Sequence, residues 1–137
     1  MKKKADWQKH FNDFIEKNKN KEFVWGKWDC CLFADACIKK MTGENLIPKS
    51  LVWRDEKEAL QTIKDYGKNL LDSVTKACKG KKVKTIKKAF VTTGDLVVFK
   101  EETQLVGISD GFKILAPSKD GLITKSHDLI LKAWRID

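Results

Sequence analysis

The sequence predicts one α+β domain over residues 1–137, with the helices first and an antiparallel sheet after them. Three observations lead there. Up to Cys78, apolar residues recur at helical spacing. Beyond Gly80 the period shortens to that of strands, with Gly-containing turns between short apolar runs. No repeat and no Pro- or Ser-rich linker divides the chain, and 137 residues with 42% hydrophobic content suit one ordinary core. Helices followed by strands belong to the α+β class rather than to alternating parallel-sheet folds.

Trp7, Phe11, Phe14 and Ile15 form an i, i+4, i+7, i+8 stripe, which predicts a first helix from about Ala5 to Lys19. The Asn- and Lys-rich segment 18–21 ends it. Asp29 is a good N-cap residue, and Cys30, Phe33, Ala34, Cys37 and Met41 then share one helical face, giving a second helix that stops at Thr42-Gly43. Asp55 to Tyr66 reads as a third, with Ala59, Leu60 and Ile63 inward and Gly67 as its stop. Leu70 to Cys78, ended by Gly80, is the fourth. The stretch 79–88 holds six lysines in ten residues and reads as a solvated connection. Leu96 to Phe99 is apolar on both faces, as a central strand would be. Gln104 to Ser109, Phe112 to Ala116, Leu122 to Lys125 and Lys132 to Ile136 supply the remaining strands, with Asp110-Gly111 as a turn.

Cys30 is the candidate for chemistry. A thiol in the first turn of a helix sits near the positive end of the helix dipole, which favours thiolate over thiol. The plainer alternative is a buried, inert cysteine, since free Cys is among the most buried residue types. Cys31 lies about a quarter turn away and reads as a packing residue. The sequence leaves a Cys37–Cys78 disulfide open. With no Cys-x-x-Cys pair and both histidines far from the cysteines, no metal site is expected, and no cofactor is implied.

Four segments occur in a telling order: Trp-Asp-Cys-Cys-Leu-Phe-Ala-Asp-Ala-Cys (28–37), Thr-Gly-Asp-Leu-Val-Val-Phe (93–99), Leu-Val-Gly-Ile (105–108) and Lys-Ile-Leu-Ala-Pro-Ser (113–118). This order resembles the NlpC-type branch of the papain-like cysteine peptidases, the cell-wall amidases and endopeptidases, over roughly residues 23–136. More closely, the chain looks like a family of small phage- and prophage-encoded proteins of unassigned function, often described as tail-assembly peptidases. It shares with them Phe-x-Trp-Gly-x-x-Asp-Cys (Phe23, Trp25, Gly26, Asp29, Cys30), Ala-Pro-x-x-Asp-Gly-Leu (116–122) and a closing Ala-Trp-Arg (133–135).

The resemblance implies a papain-like layout with Cys30 as the nucleophile equivalent. Trp25, Trp28 and Asp29 then flank a substrate groove, or pack the helix start against the sheet. It also implies a loss. Leu105 and Leu115 occupy the positions of the catalytic histidine and of the second polar residue, and leucine can neither take a proton nor orient an imidazole. His127, next to Asp128, is the weaker candidate for a recruited base; a surface turn is its plainer position. His10, on the first helix, is expected to be solvated.

The leading expectation is therefore a catalytically degenerate scaffold that associates with other phage tail proteins. A thiol hydrolase acting on peptidoglycan stem peptides is one alternative; a small basic binder or inhibitor of a host factor is another. The formal net charge of +9 supports weak, salt-sensitive polyanion binding. Arg54 and Arg135 are the only arginines, which speaks against specific base readout. Met-Lys-Lys-Lys resembles the start of a signal peptide but no apolar core follows it, and no segment reaches membrane-spanning length. The expected place is the cytoplasm of the producing cell, with incorporation into the virion, and no membrane partner.

Overall fold

Each of the last three helices begins where a side chain can hold a free N–H group of its first turn. The computed structural model, which describes residues 1–137, places α1 at Trp7–Asn18, α2 at Cys30–Thr42, α3 at Glu56–Gly67 and α4 at Leu70–Gly80. Asp29 accepts from the Leu32 N–H, Asp55 from that of Glu58, and Asn69 from that of Asp72. Such caps are worth about 1 kcal/mol each. α1 has no side-chain cap, and its apolar stripe, with Phe11 and Phe14 buried, holds it instead. Gly43, in the left-handed region, closes α2 where the sequence places the stop.

The strands are β1 (Lys84–Ile86), β2 (Leu96–Lys100), β3 (Gln104–Ser109), β4 (Ile114–Ser118), β5 (Gly121–Lys125) and β6 (Ile130–Arg135). They form one antiparallel sheet in the order β1-β6-β2-β3-β4-β5. The last strand thus returns between the first two, and β2 lies inside the sheet with Leu96 to Phe99 buried on both faces. Leu96 and Val98, with Val106 and Ile108 of β3, join the helices in the larger core. Val97 and Phe99 face the other way, onto Ile114, Ile130 and Ala133. Short 3₁₀ turns at Lys88–Phe90 and His127–Leu129 flank that second cluster. No helix is long and apolar enough to cross a membrane.

Four local expectations change. The lysine-rich connection is not all loop: it ends α4 and contains β1, because Lys84–Ile86 pair with Ala133–Arg135 of β6. β4 begins at Ile114 rather than Phe112. The Asp110 carboxylate accepts the N–H groups of Phe112 and Lys113, so those residues belong to the turn and Phe112 is 86% exposed. β6 begins two residues early, at Ile130, with a register shift opposite Val98 and Phe99. Leu60 is not in the core but 54% exposed, lining an open cleft, since one step of about 100° carries it off the face that buries Ala59.

Candidate functional site

The first turn of α2 holds Cys30 against the sheet. The Cys31 thiol, first, and then the backbone N–H of Val106 on β3 favour an ionised Cys30. These donors hold the Cys30 thiol below its ordinary pKa, against burial and the neighbouring Asp29 carboxylate, both of which oppose ionisation. Cys31 is pushed the other way, first by its hydrogen bond to Cys30 and then by burial. Cys30 is buried, yet it lines a cleft of about 490 Å³.

Three parts of the chain wall this cleft. Trp25 stands on one side, edge-on to Phe23 with ring centroids 5.0 Å apart. Trp53 and the Ala59–Ile63 face of α3 form the second side, and Gln104 and Leu105 at the start of β3 the third. Leu105 packs against both cores and shares the cleft with Cys30. Leu115 does not share it. It lies 6% exposed on the helix-facing side of β4, where it lines a separate groove with Gln8 and Phe11 of α1.

Trp28 does not line the cleft, which corrects its expected place; Asp29 does line it, with its oxygens engaged by the protein itself. Asp29 is 1% exposed, and both its oxygens are committed: Oδ1 to Leu32 N–H, Oδ2 to Gly26 N–H and, at 2.7 Å, to the Trp53 indole N–H. Trp28 is buried among Phe14 and Phe33, with the Lys21 ammonium 4.1 Å from its ring centroid and its own N–H without a partner. Of the expected aromatic pair, Trp25 alone reaches the cleft.

Neither histidine reaches Cys30. His127 Nε2 lies 3.0 Å from Ser109 Oγ. Ile108 faces the helices, so Ser109, the next residue of the strand, faces away from them. The sheet therefore stands between His127 and Cys30, and the recruited-base role is corrected. His10 pairs with Asp6 at 3.1 Å on the outer face of α1. All four cysteines are free thiols. Cys37 and Cys78 are fully buried, and burial raises both, Cys78 to about 12. No group of three or more His, Cys, Asp or Glu side chains is arranged to hold a metal ion.

Sequence reasoning missed Trp53 and Gln104. Trp53 belongs to no motif, yet its bond to Asp29 ties the 44–55 loop to the start of α2. Gln104 accepts the Leu71 N–H at 2.9 Å and fastens α4 to the cleft floor. The loop is held again by Asp35, which accepts from Asn45, Leu46 and Ile47. Beside the cleft this loop, α3 and α4 enclose a smaller apolar cavity of about 70 Å³ that shares Cys31, Trp53, Ile63 and Leu70 with it.

The cleft thus offers a stabilised sulfur, aromatic and aliphatic walls, and Glu56 and Lys68 as its free charged groups. A carboxylate is a far weaker base than an imidazole and a poor acceptor for a thiol proton. The arrangement can bind an extended segment, and it can react once with an electrophile. It lacks the imidazole that would pass a proton to a leaving group. No curated protein matches the chain. A family model does match, over residues 2–136, and with almost the whole fold inside that match the chain belongs to the domain of unknown function DUF6950.

Proposed function

We propose that the protein is a catalytically silent binding component. In this reading its frame is akin to the NlpC-type papain-like domains, and it holds a partner segment in the Cys30 cleft during assembly of a phage tail in the cytoplasm. The observation that carries the silent cleft is the company of Cys30: Leu105 shares its cleft, while His10 and His127 lie elsewhere. The phage setting rests on the Phe-x-Trp-Gly-x-x-Asp-Cys, Ala-Pro-x-x-Asp-Gly-Leu and Ala-Trp-Arg segments. The cleft suits binding, because its walls are apolar and it is held rigid by the Asp29, Asp35 and Gln104 hydrogen bonds.

The rival is a thiol hydrolase of peptidoglycan stem peptides, and the lowered pKa of Cys30 favours it. Incubating wild type and Cys30→Ser with peptidoglycan fragments, and measuring their capture of purified phage tail proteins, separates the two. The binding reading expects no hydrolysis from either and equal capture by both, with capture weakened about tenfold in Trp25→Ala. Repeated turnover that vanishes in Cys30→Ser would establish the hydrolase instead.

A further inference from the structure

The fold brings lysines from four separate parts of the chain together at one end of the molecule. α2 ends in Lys39 and Lys40. The N-terminal segment crosses that end, with Lys4 N–H donating to Met41 O at 2.8 Å and the Lys4 side chain lying over Gly43. α4 ends beside it with Lys79, and the Lys81 ammonium lies 3.7 Å from Glu44, just beyond α2. Lys82 follows in the turn, and Lys84 opens β1 opposite Arg135. Arg135 is committed to the buried Asp95 carboxylate, Lys3 is packed over Trp7 and Lys81 faces Glu44, so none of the three counts among the free charges; Asp137 also lies at this end, its carbonyl accepting the Lys3 N–H.

Cations at helix C-termini complement the helix dipoles, which accounts for Lys39, Lys40 and Lys79. It does not require Lys4, Lys82 and Lys84 beside them. The Cys30 end carries both signs: Asp55, Glu56 and Glu58 open α3 and Glu101 and Glu102 occupy the β2–β3 turn, while Arg54 pairs with Glu58, Lys125 with Glu101 and Lys68 lines the cleft. The two ends are separated by the length of α2, roughly 18 Å at 1.5 Å per residue.

The chemistry of the basic end selects its partner. None of the large exposed hydrophobic side chains lies in residues 1–4, 39–44, 79–84 or 135–137. A protein interface needs such a centre. One exposed ring stands nearby, that of Phe90, whose carbonyl accepts from Arg135, but single-strand binding stacks successive bases on several rings. The free cations are lysines, point charges suited to phosphates rather than to base edges.

We propose that this basic end binds the phosphate backbone of duplex nucleic acid without sequence preference. The proposal is independent of what occupies the cleft.

The test is fluorescence anisotropy with a labelled random-sequence DNA duplex, from about 50 to 200 mM salt. It compares wild type with Lys39→Gln/Lys79→Gln/Lys84→Gln and with Lys57→Gln/Lys64→Gln/Lys119→Gln, which loses the same charge elsewhere on the surface. The first variant should bind at least about tenfold more weakly at low salt, with its log–log salt slope reduced by about 2 to 3, since each phosphate contact contributes about 0.9. The second should stay within about twofold of wild type. Three results overturn the proposal: no duplex binding at the lowest salt, equal weakening in both variants, or displacement of the duplex by poly-glutamate at matched charge. The last would point to an acidic protein. Circular dichroism and Cys30 alkylation, unchanged in both variants, confirm that the fold is intact.

Discussion

The Cys31 thiol and the Val106 N–H favour an ionised Cys30, while burial opposes ionisation of Cys37 and Cys78, and this sets the order in which the four thiols should react. In pH-resolved alkylation with iodoacetamide, Cys30 should titrate below an ordinary thiol. Cys31 should follow late, and Cys78 should stay silent until about pH 12 in the folded protein. Peptide mass spectrometry reads all four at once, and reaction of Cys37 or Cys78 ahead of Cys30 would contradict the geometry. Leu105→His tests whether that position commands the sulfur. An imidazolium beside a thiolate should lower the Cys30 midpoint by about a further 1 to 3 units; an unchanged midpoint would mean that position 105 does not act on Cys30. Asp29 is the structural counterpart. Asp29→Ala removes the cap of α2 and leaves the Gly26 N–H and the Trp53 indole without their acceptor, which should cost about 2 to 4 kcal/mol in urea unfolding. Asp29→Asn, which keeps one acceptor oxygen for the cap, should lose less.

Among the elements, the join between the Trp25-Gly26 turn and the 44–55 loop shapes the cleft. Gly26 has φ +78°, and a Cβ there would lie 2.5 Å from the Arg54 carbonyl. Gly26→Ala should therefore destabilise by about 1 to 3 kcal/mol and loosen Trp53, seen as a lower unfolding midpoint and a shifted tryptophan emission. Wild-type emission in that variant would show that the loop does not depend on this approach. Gly107 meets a similar limit in the sheet, where a Cβ would run into the Ile114 side chain and the Leu115 carbonyl. The glycine of the Val-Gly-Ile segment is thus explained by close packing of β3 on β4. These cases also show how far an element can be read from its own residues. The cap at Asp29, the stripe of α1 and the turn at Asp110-Gly111 depend on neighbours a few positions away, and the sequence shows them. The pairing of β1 depends on residues about fifty positions later, and a run of lysines carries no sign of it.

Across the molecule, one ion pair ties the interior of the sheet together. Arg135 of β6 donates to both oxygens of Asp95, at 3.0 and 2.8 Å, just before β2, and Asp95 is fully buried. Two sequence segments noticed separately, Thr-Gly-Asp-Leu and Ala-Trp-Arg, therefore meet in space. Arg135→Leu leaves a buried carboxylate without its partner and should cost about 3 to 5 kcal/mol, while Asp95→Leu/Arg135→Leu should recover much of that loss. Additive single losses would remove the pair from this role. The buried thiols set the alkaline limit. Their folded pKa values lie above the unfolded value of about 8.5, so their stabilising contribution is complete below that pH and is lost as pH rises toward about 12. The fall in unfolding free energy between about pH 9 and 11 should be shallower in Cys37→Ala/Cys78→Ala than in wild type, whatever the cavities cost at neutral pH.

The four helices, the central strand and the α+β class were legible because period, caps and turns are short-range properties, written within a few residues of where they act. Cys30 at the head of α2 was legible for the same reason. Packing settled the remainder. Trp25 lines the cleft while Trp28, three residues on, is buried in the core. Leu105 reaches the cleft and Leu115 lies under α1. The sheet divides His127 from Cys30, and lysines from four parts of the chain gather at one end. Each of these outcomes joins residues far apart in sequence, whose meeting depends on which faces the whole core buries, and no local pattern carries that information.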